Sequence, residues 1–333
     1  MQRGAAPGDV DTIVRVIEEA GGSAFVSRGT TRTIVGLVGD IALFQTLNLG
    51  ALPGVADVIR ISQPFKLVSR ESHPVPSTVD VGGVPIGPDT ATLIAGPCAV
   101  ETPEQTLAAA KMAVRAGALL LRGGAYKPRT SPYAFQGLGE AGLKILAEVR
   151  DEVGLPVVTE VVEAADVDLV ASYADMLQIG TRNMQNFSLL QAAGACGKPV
   201  LLKRGLQATV EEWLMAAEYV AQRGNLAIVL CERGIRTFET ATRNTLDISA
   251  VPVVHALSHL PVIVDPSHAG GRRDLVVPLA RAALAAGADG VIVDVHPHPE
   301  SALCDGPQAL LDDDLALLAE AMATIPPLLG RKV

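Results

Sequence analysis

Seven cations stand just after short apolar runs in this chain: Arg122, Lys127, Arg129, Arg182, Lys203, Arg204 and Arg233. The chain as a whole carries a formal net charge of -9. One Arg in such a place reads as a solvated rim residue. This many in register point instead to a focused positive field and to an anionic, phosphorylated substrate. A second constellation is Cys98, His268, Asp294 and Asp305. A thiolate, an imidazole and two carboxylates that converge would suit a divalent metal such as Mn, Fe, Co or Zn. Taken singly, each has a structural reading: Cys98 as a small buried hydrophobe, His268 as a cap, Asp305 as a turn former before Gly306. Ligands so far apart in sequence carry no spacing signature, so the residue types alone leave both readings open.

The elements that must bring these residues together are short apolar strands alternating with Ala- and Leu-rich helices. Eight strands are expected, at residues 92–95, 118–121, 156–159, 176–179, 199–202, 226–230, 261–264 and 290–293. Each is a nearly continuous apolar run, as a parallel strand covered on both faces should be. Helical spacing fills most gaps, at 103–116, 139–153, 165–171, 187–195, 210–223 and 275–286. Eight such units predict a (β/α)8 barrel, whose active site forms at the C-terminal strand ends. The candidate residues all follow strand ends. A doubly wound open sheet is the alternative, but no GxGxxG motif follows the first strand.

The first 68 residues read as a separate small domain. A helix is expected over 11–20, stopped by Gly21-Gly22, then strands at 23–27 and 33–38, a weaker helix at 41–49 and a third strand at 55–61. This order predicts a ferredoxin-like α+β module, regulatory or oligomeric. Residues 69–89 form a Pro- and Gly-rich connector in which 79–86 spell a small hairpin across Gly82-Gly83. The barrel then takes 90–333.

Composition closes off several classes. With 333 residues, 49% of them hydrophobic, the chain can bury a large core and is not disordered. The acidic balance and 3% aromatic content exclude nucleic-acid binding through bulk charge or stacking. No apolar run reaches the roughly 18 residues of a membrane span. The N-terminus lacks the apolar core of a secretory signal, and cytoplasmic residence is expected. Four scattered cysteines (Cys98, Cys196, Cys231, Cys304) with no CxxC exclude a disulfide scaffold.

The motifs in combination are specific. IAGPC at 94–98, RGGAYKPRTSP at 122–132, IGTRNMQ at 179–185, LKRG at 202–205, ERG at 232–234 and DPSH at 265–268 resemble those of 3-deoxy-D-arabino-heptulosonate 7-phosphate (DAHP) synthases. The resemblance is to the type I-beta branch, whose members can carry an N-terminal ferredoxin-like regulatory domain, and it covers nearly the whole chain. It implies condensation of phosphoenolpyruvate with erythrose 4-phosphate, the first step of the shikimate pathway. By resemblance, Arg122, Lys127, Arg182, Lys203 and Arg233 would hold phosphoenolpyruvate, and Arg129, Thr130 and Ser131 the sugar phosphate. The divalent metal would sit on Cys98, His268, Asp294 and Asp305. Lys127 would donate a proton to the aldehyde oxygen or act electrostatically, and His268 as a general acid is the lesser reading. The resemblance also implies a homotetramer and an aromatic amino acid effector near residues 23–36.

One position departs from the family pattern. The chain has Asp294 where members usually have Glu, which retracts the carboxylate by roughly 1.5 Å, one C–C bond. Cys304, where a small hydroxyl residue is expected, adds a second thiol beside Asp305. The competing readings are 3-deoxy-D-manno-octulosonate 8-phosphate synthase, which usually reads KANRS where this chain has KPRTS, and a catalytically silent regulatory paralogue.

Overall fold

The computed structural model describes residues 1–28, 33–39, 44, 47–59 and 63–332. Its centre is a closed barrel of eight parallel strands: β5 (Thr92–Gly96), β6 (Leu120–Arg122), β7 (Val157–Val161), β8 (Met176–Ile179), β9 (Val200–Lys203), β10 (Ile228–Glu232), β11 (Val262–Val264) and β12 (Gly290–Asp294). The last strand closes on the first, with Thr92 opposite Gly290 and Gly96 opposite Asp294. The open-sheet alternative is therefore overturned. Every strand residue is buried, because helices cover the outside and side chains fill the inside.

The inside is layered. Ile94, Leu120, Val158, Met176, Leu201, Val229, Ile263 and Ile292, one from each strand, pack as a single apolar cluster. Below them Val79, Val81 and Ile86 join the same cluster from the hairpin β3 (Val79–Val81) and β4 (Val84–Ile86), which plugs the N-terminal end. Strand side chains alternate, so the residues two further along face inward as well. These are Gly96, Arg122, Glu160, Gln178, Lys203, Cys231, Asp265 and Asp294. Within one layer the interior changes from wholly apolar to mostly polar, and the polar layer opens at the C-terminal end.

The outer shell begins with α2 (Pro103–Arg115), whose N-cap Thr102 accepts from the Gln105 backbone N–H at 3.1 Å and whose Pro103 suits the first turn. It continues through α3 (Glu140–Val153), α4 (Val167–Tyr173), α5 (Phe187–Ala195) and α6 (Val210–Ala221). Three further helices, α7 (Ala250–Leu257), α8 (Pro266–Gly270) and the C-terminal α10 (Asp312–Leu328), were not among those expected; α9 (Arg273–Ala285) was. On α6, Trp213 is fully buried and its indole N–H donates to the Leu202 carbonyl at 3.1 Å, tying helix to strand.

Ahead of the barrel, α1 (Pro7–Glu19) buries Val10, Ile13 and Ile17. The strands β1 (Ser23–Arg28) and β2 (Thr33–Val38) pair antiparallel. The third strand expected at 55–61 is corrected: residues 55–59 are irregular, and 60–61 lie outside the described residues. The Asp57 carboxylate takes the next backbone N–H, of Val58, at 2.8 Å, a local bond that competes with a ladder. Most of the helix expected at 41–49 also lies outside the described residues; Leu49–Ala51 form one 3-10 turn.

Residues 65–69 are packed rather than loose. Phe65 and Val68 are buried, and Glu218 of α6 accepts from the Leu67 and Val68 backbone N–H groups at 2.8 and 3.1 Å.

Candidate active site

Cys98 follows β5 through Gly96, whose φ is +156°. A Cβ on Gly96 would lie 2.0 Å from the Arg122 carbonyl oxygen, so only glycine lets β5 and β6 approach this closely at the mouth. The same closeness brings Arg122 and Lys127 onto the Cys98 peptide. Arg122 Nη2 donates to its carbonyl at 3.2 Å and Lys127 Nζ at 2.8 Å, while Lys127 Nζ also stands 3.2 Å from Cys98 Sγ.

His268 is positioned by its own turn. The Asp265 side chain caps α8, accepting from the His268 backbone N–H at 2.9 Å, and its other oxygen lies 2.8 Å from Nδ1, off the line of a good hydrogen bond. Nε2 is thereby aimed at Cys98 Sγ (3.7 Å), Asp294 Oδ2 (3.6 Å) and Asp305 Oδ2 (3.9 Å). Burial draws the imidazole pKa down, but Asp265 and then Asp294 outweigh it and push it up to about 9. Asp305 has a left-handed backbone (φ +54°), which Asp tolerates better than most residues. Burial opposes ionisation of its carboxyl, yet His268 and Arg243 hold it well below the usual carboxylate range.

Cys98, His268 and Asp305 form a group whose ligand atoms all lie within 4.8 Å of one another. A sulfur, an imidazole nitrogen and a carboxylate oxygen so close together fit a divalent transition metal. Asp294 stands beside that group, its Oδ2 3.6 Å from His268 Nε2. Its Oδ1 takes Arg122 Nη1 and its Oδ2 takes Gln308 Nε2. Cys304 Sγ, by contrast, lies 3.7 Å from Cys98 Sγ and 3.2 Å from Asp305 Oδ2.

The cations divide into two sets. Arg122, Lys127 and Lys203 are buried around the polar layer, and Lys203 pairs with Asp265. Arg233 is half-buried with Nη1 unpartnered, and Arg122 Nε is likewise buried without a partner. Burial lowers the Arg233 pKa, as do the nearby charges of Arg243 and Arg182, while Asp265 opposes them. Guanidinium nitrogens buried without acceptors call for an anion. Arg129, Thr130 and Ser131 stand apart, at the tip of the loop between β6 and α3. Arg129 is half-buried and donates to the Phe135 carbonyl at 3.3 Å, and exposed Thr130 accepts from Arg182 Nη2 at 3.3 Å. Arg204 is corrected out of the rim. It points outward and is consumed by Glu232 (2.9 Å), Asp247 (2.8 Å) and the Ala208 carbonyl (2.9 Å).

Two residues of the mouth escaped the sequence reading. Gln308, fully buried, braces Asp294, and nothing in its loop announces this. Arg243 pairs with Asp305 at 3.0 Å from a polar stretch without apolar periodicity. Glu160 follows the alternation instead. It accepts from Gln178 at 3.1 Å, and a Cβ on Gly180 would sit 2.0 Å from its Oε1, so this glycine keeps the carboxylate in place.

Comparison with known proteins agrees with this architecture. The profile of the DAHP synthetase I family matches residues 66–328, and that of the DAHP synthase ferredoxin-like domain matches residues 1–63. The chain belongs to the DAHP synthetase I family. It is 52% identical over 333 residues to the phospho-2-dehydro-3-deoxyheptonate aldolase of Thermotoga maritima, covering all of this chain and 98% of the relative. The crystal structure of the DAHP synthase from Thermotoga maritima superposes with a TM-score of 0.80 at 51% identity, covering 100% of this chain and 97% of that one. A 2-dehydro-3-deoxyphosphooctonate aldolase of Syntrophotalea carbinolica is 37% identical over 269 residues, covering 75% of this chain and 96% of its own length. That second similarity leaves out a quarter of the chain, whereas members of the DAHP branch are matched through the ferredoxin-like region as well.

Proposed function

We propose that the chain condenses phosphoenolpyruvate with D-erythrose 4-phosphate and water, giving 3-deoxy-D-arabino-heptulosonate 7-phosphate and phosphate, the first step of the shikimate pathway. The observation that carries this is the pairing of unpartnered buried guanidinium nitrogens with the S/N/O group of Cys98, His268 and Asp305.

In this reading Arg122, Lys127, Lys203 and Arg233, with Arg182 at the edge, clamp the phosphate and carboxylate of phosphoenolpyruvate over the polar layer. Arg129, Thr130 and Ser131 take the phosphate of the sugar and aim its aldehyde at carbon three of the enol. Much of the rate then comes from positioning two like-charged molecules side by side. A divalent metal (Mn, Fe, Co or Zn), held by Cys98, His268 and Asp305 with Asp294 or Cys304 beside them, supplies Lewis-acid polarisation of the aldehyde when bound. The new bond joins carbon three to the aldehyde carbon, and Lys127 Nζ gives the aldehyde oxygen its proton. Burial works against the Lys127 charge, but Cys98 outweighs it and raises the pKa above the ordinary lysine value, so the ammonium is present throughout the neutral range. Water adds to carbon two and gives a proton back to the Lys127 amine; the bond between carbon two and the bridging phosphate oxygen then breaks, the remaining carbon-two hydroxyl passes its proton to the departing phosphate, and the ketone forms.

The ferredoxin-like region, by family likeness, binds an aromatic amino acid around residues 23–36, of which 29–32 lie outside the described residues. The same likeness supports a homotetramer. Among the described residues no helix is long and apolar enough to cross a membrane, and soluble sugar phosphates as substrates agree with a cytoplasmic enzyme.

The test is phosphoenolpyruvate consumption by chelator-stripped protein with erythrose 4-phosphate or arabinose 5-phosphate, each with and without Mn(II). Metal-dependent turnover with the four-carbon sugar alone is expected. Turnover with the five-carbon sugar alone would move the chain to the octulosonate branch. Turnover with neither would make it a silent paralogue.

A further inference from the structure

We propose that Cys304 is itself a metal ligand in this chain, taking a coordination place beside Asp294, which Arg122 and Gln308 hold. The inference rests on the reading that the cluster at Cys98 holds a divalent metal. It goes further by naming a second thiolate in that centre.

Both candidates for a fourth ligand lie beside the group of Cys98, His268 and Asp305, and they meet different members of it. Cys304 Sγ meets two members, Cys98 Sγ at 3.7 Å and Asp305 Oδ2 at 3.2 Å. Asp294 meets His268 Nε2 at 3.6 Å, and both of its oxygens are already engaged. Any movement of Asp294 that broke its bonds to Arg122 Nη1 and Gln308 Nε2 would cost about 1–3 kcal/mol for each group. Cys304 has no such obligation. Its thiol is buried, its loop is fixed by the Leu303 backbone N–H donating to Glu101 at 2.8 Å, and its side-chain hydrogen-bond partners among the described residues, Cys98 and Asp305, belong to the cluster.

The spacings from Cys98 Sγ to Cys304 Sγ and to His268 Nε2 match those of ligands that share one metal. Two sulfurs bound at about 2.3 Å and the tetrahedral angle stand about 3.8 Å apart, and sulfur to a bound nitrogen or oxygen about 3.6 Å. The Cys98–Cys304 separation is 3.7 Å and the Cys98–His268 separation 3.7 Å, while each sulfur stands 3.2 Å from Asp305 Oδ2. Two thiolates, one imidazole and one carboxylate make a softer donor set than one thiolate with two carboxylates, favouring Zn(II), Fe(II) or Co(II) over Mn(II).

The experiment loads the reduced, full-length protein with one equivalent of Co(II), without substrates, and reads the near-ultraviolet thiolate-to-cobalt absorption. Zn(II) affinity is measured beside it by chelator competition. Cys304→Ser changes one atom and should leave the thermal melt of the metal-free protein unmoved. Two bound thiolates predict that Cys304→Ser and Cys98→Ser each remove about half of the band, that the double variant removes it, and that Cys304→Ser weakens Zn(II) about tenfold or more while changing Mn(II) little. A band unchanged by Cys304→Ser overturns the inference, and so does Zn(II) affinity that falls in Asp294→Asn but not in Cys304→Ser. Failure to bind Co(II) at all overturns the metal reading of the site together with it.

Discussion

Arg122 and Asp294 form a buried ion pair that bridges two strands which do not adjoin, passing across β5 and over the Cys98 carbonyl. The carboxylate thus fixes the guanidinium proposed to clamp the substrate, with Gln308 bracing it from behind.

Arg122→Met should therefore do two kinds of damage. It removes a group from the proposed anion clamp, and it leaves Asp294 buried with Gln308 and, at 3.6 Å, His268 Nε2. Loss of one partner of a buried pair costs about 3–5 kcal/mol. Denaturant melts should show a loss near the low end of that range, because Gln308 remains. Steady-state assays should show the KM for phosphoenolpyruvate rising with it.

Lys127→Arg keeps a positive charge over Cys98 but gives up a proton far less readily. If Lys127 protonates the aldehyde oxygen, kcat should fall by about 10²-fold or more with little change in KM. A variant within a few-fold of the native rate would reduce Lys127 to an electrostatic role.

The underside of the barrel carries an acid-sensitive latch. His259 is buried, with Nε2–H donating to the Leu67 carbonyl at 3.0 Å and Nδ1 accepting from Ser77 Oγ at 2.7 Å. Burial, and then the His73 ring stacked 4.3 Å away, lower its pKa from 6.5 to about 4. The unfolded chain binds this proton more readily, so the contribution is complete above about pH 6.5 and is lost as the pH falls through 4. Its size is about 3 kcal/mol. Stability followed between pH 7 and 4 should drop accordingly, and His259→Gln should flatten that slope.

Glu218→Ala should loosen the approach to the barrel. Two buried backbone N–H groups, of Leu67 and Val68, would lose their acceptor, at about 1–3 kcal/mol each. The midpoint of thermal unfolding should fall, and amide exchange at Leu67 and Val68 should quicken ahead of exchange in the strands.

The eight strands were legible because each is an apolar run bounded by Gly, Pro or a charge, and covered strands are simple to recognise. Alternation also carries most of the site. Leu201 faces the interior and Leu202 the helices, so Lys203 enters the mouth while Arg204 turns away to Glu232 and Asp247. Reading both as rim cations ignored that period of two. The short α8 was hidden because it begins in Pro266-Ser267-His268, which reads as a turn until the Asp265 cap is seen. Asp294 could be recognised as a departure from pattern, but its commitment to Arg122 and Gln308 depends on a loop whose sequence has no periodicity. The irregular course of residues 55–59 was likewise set by one Asp57 side-chain bond that no propensity reports.

Barrel closure between β5 and β12 also governs the order in which the molecule can acquire its chemistry. On the ribosome, Cys98 and the Arg122 guanidinium are made well before Asp294, Cys304, Asp305 and Gln308. Until then β5 has an open edge and a buried cation lacks its counter-charge, so neither the fold nor the site can be assembled piecemeal. Pairings between such distant parts of a chain are slow to form and leave apolar edges exposed meanwhile. A nascent chain stalled before β12 would be a ready client for chaperones and no enzyme at all.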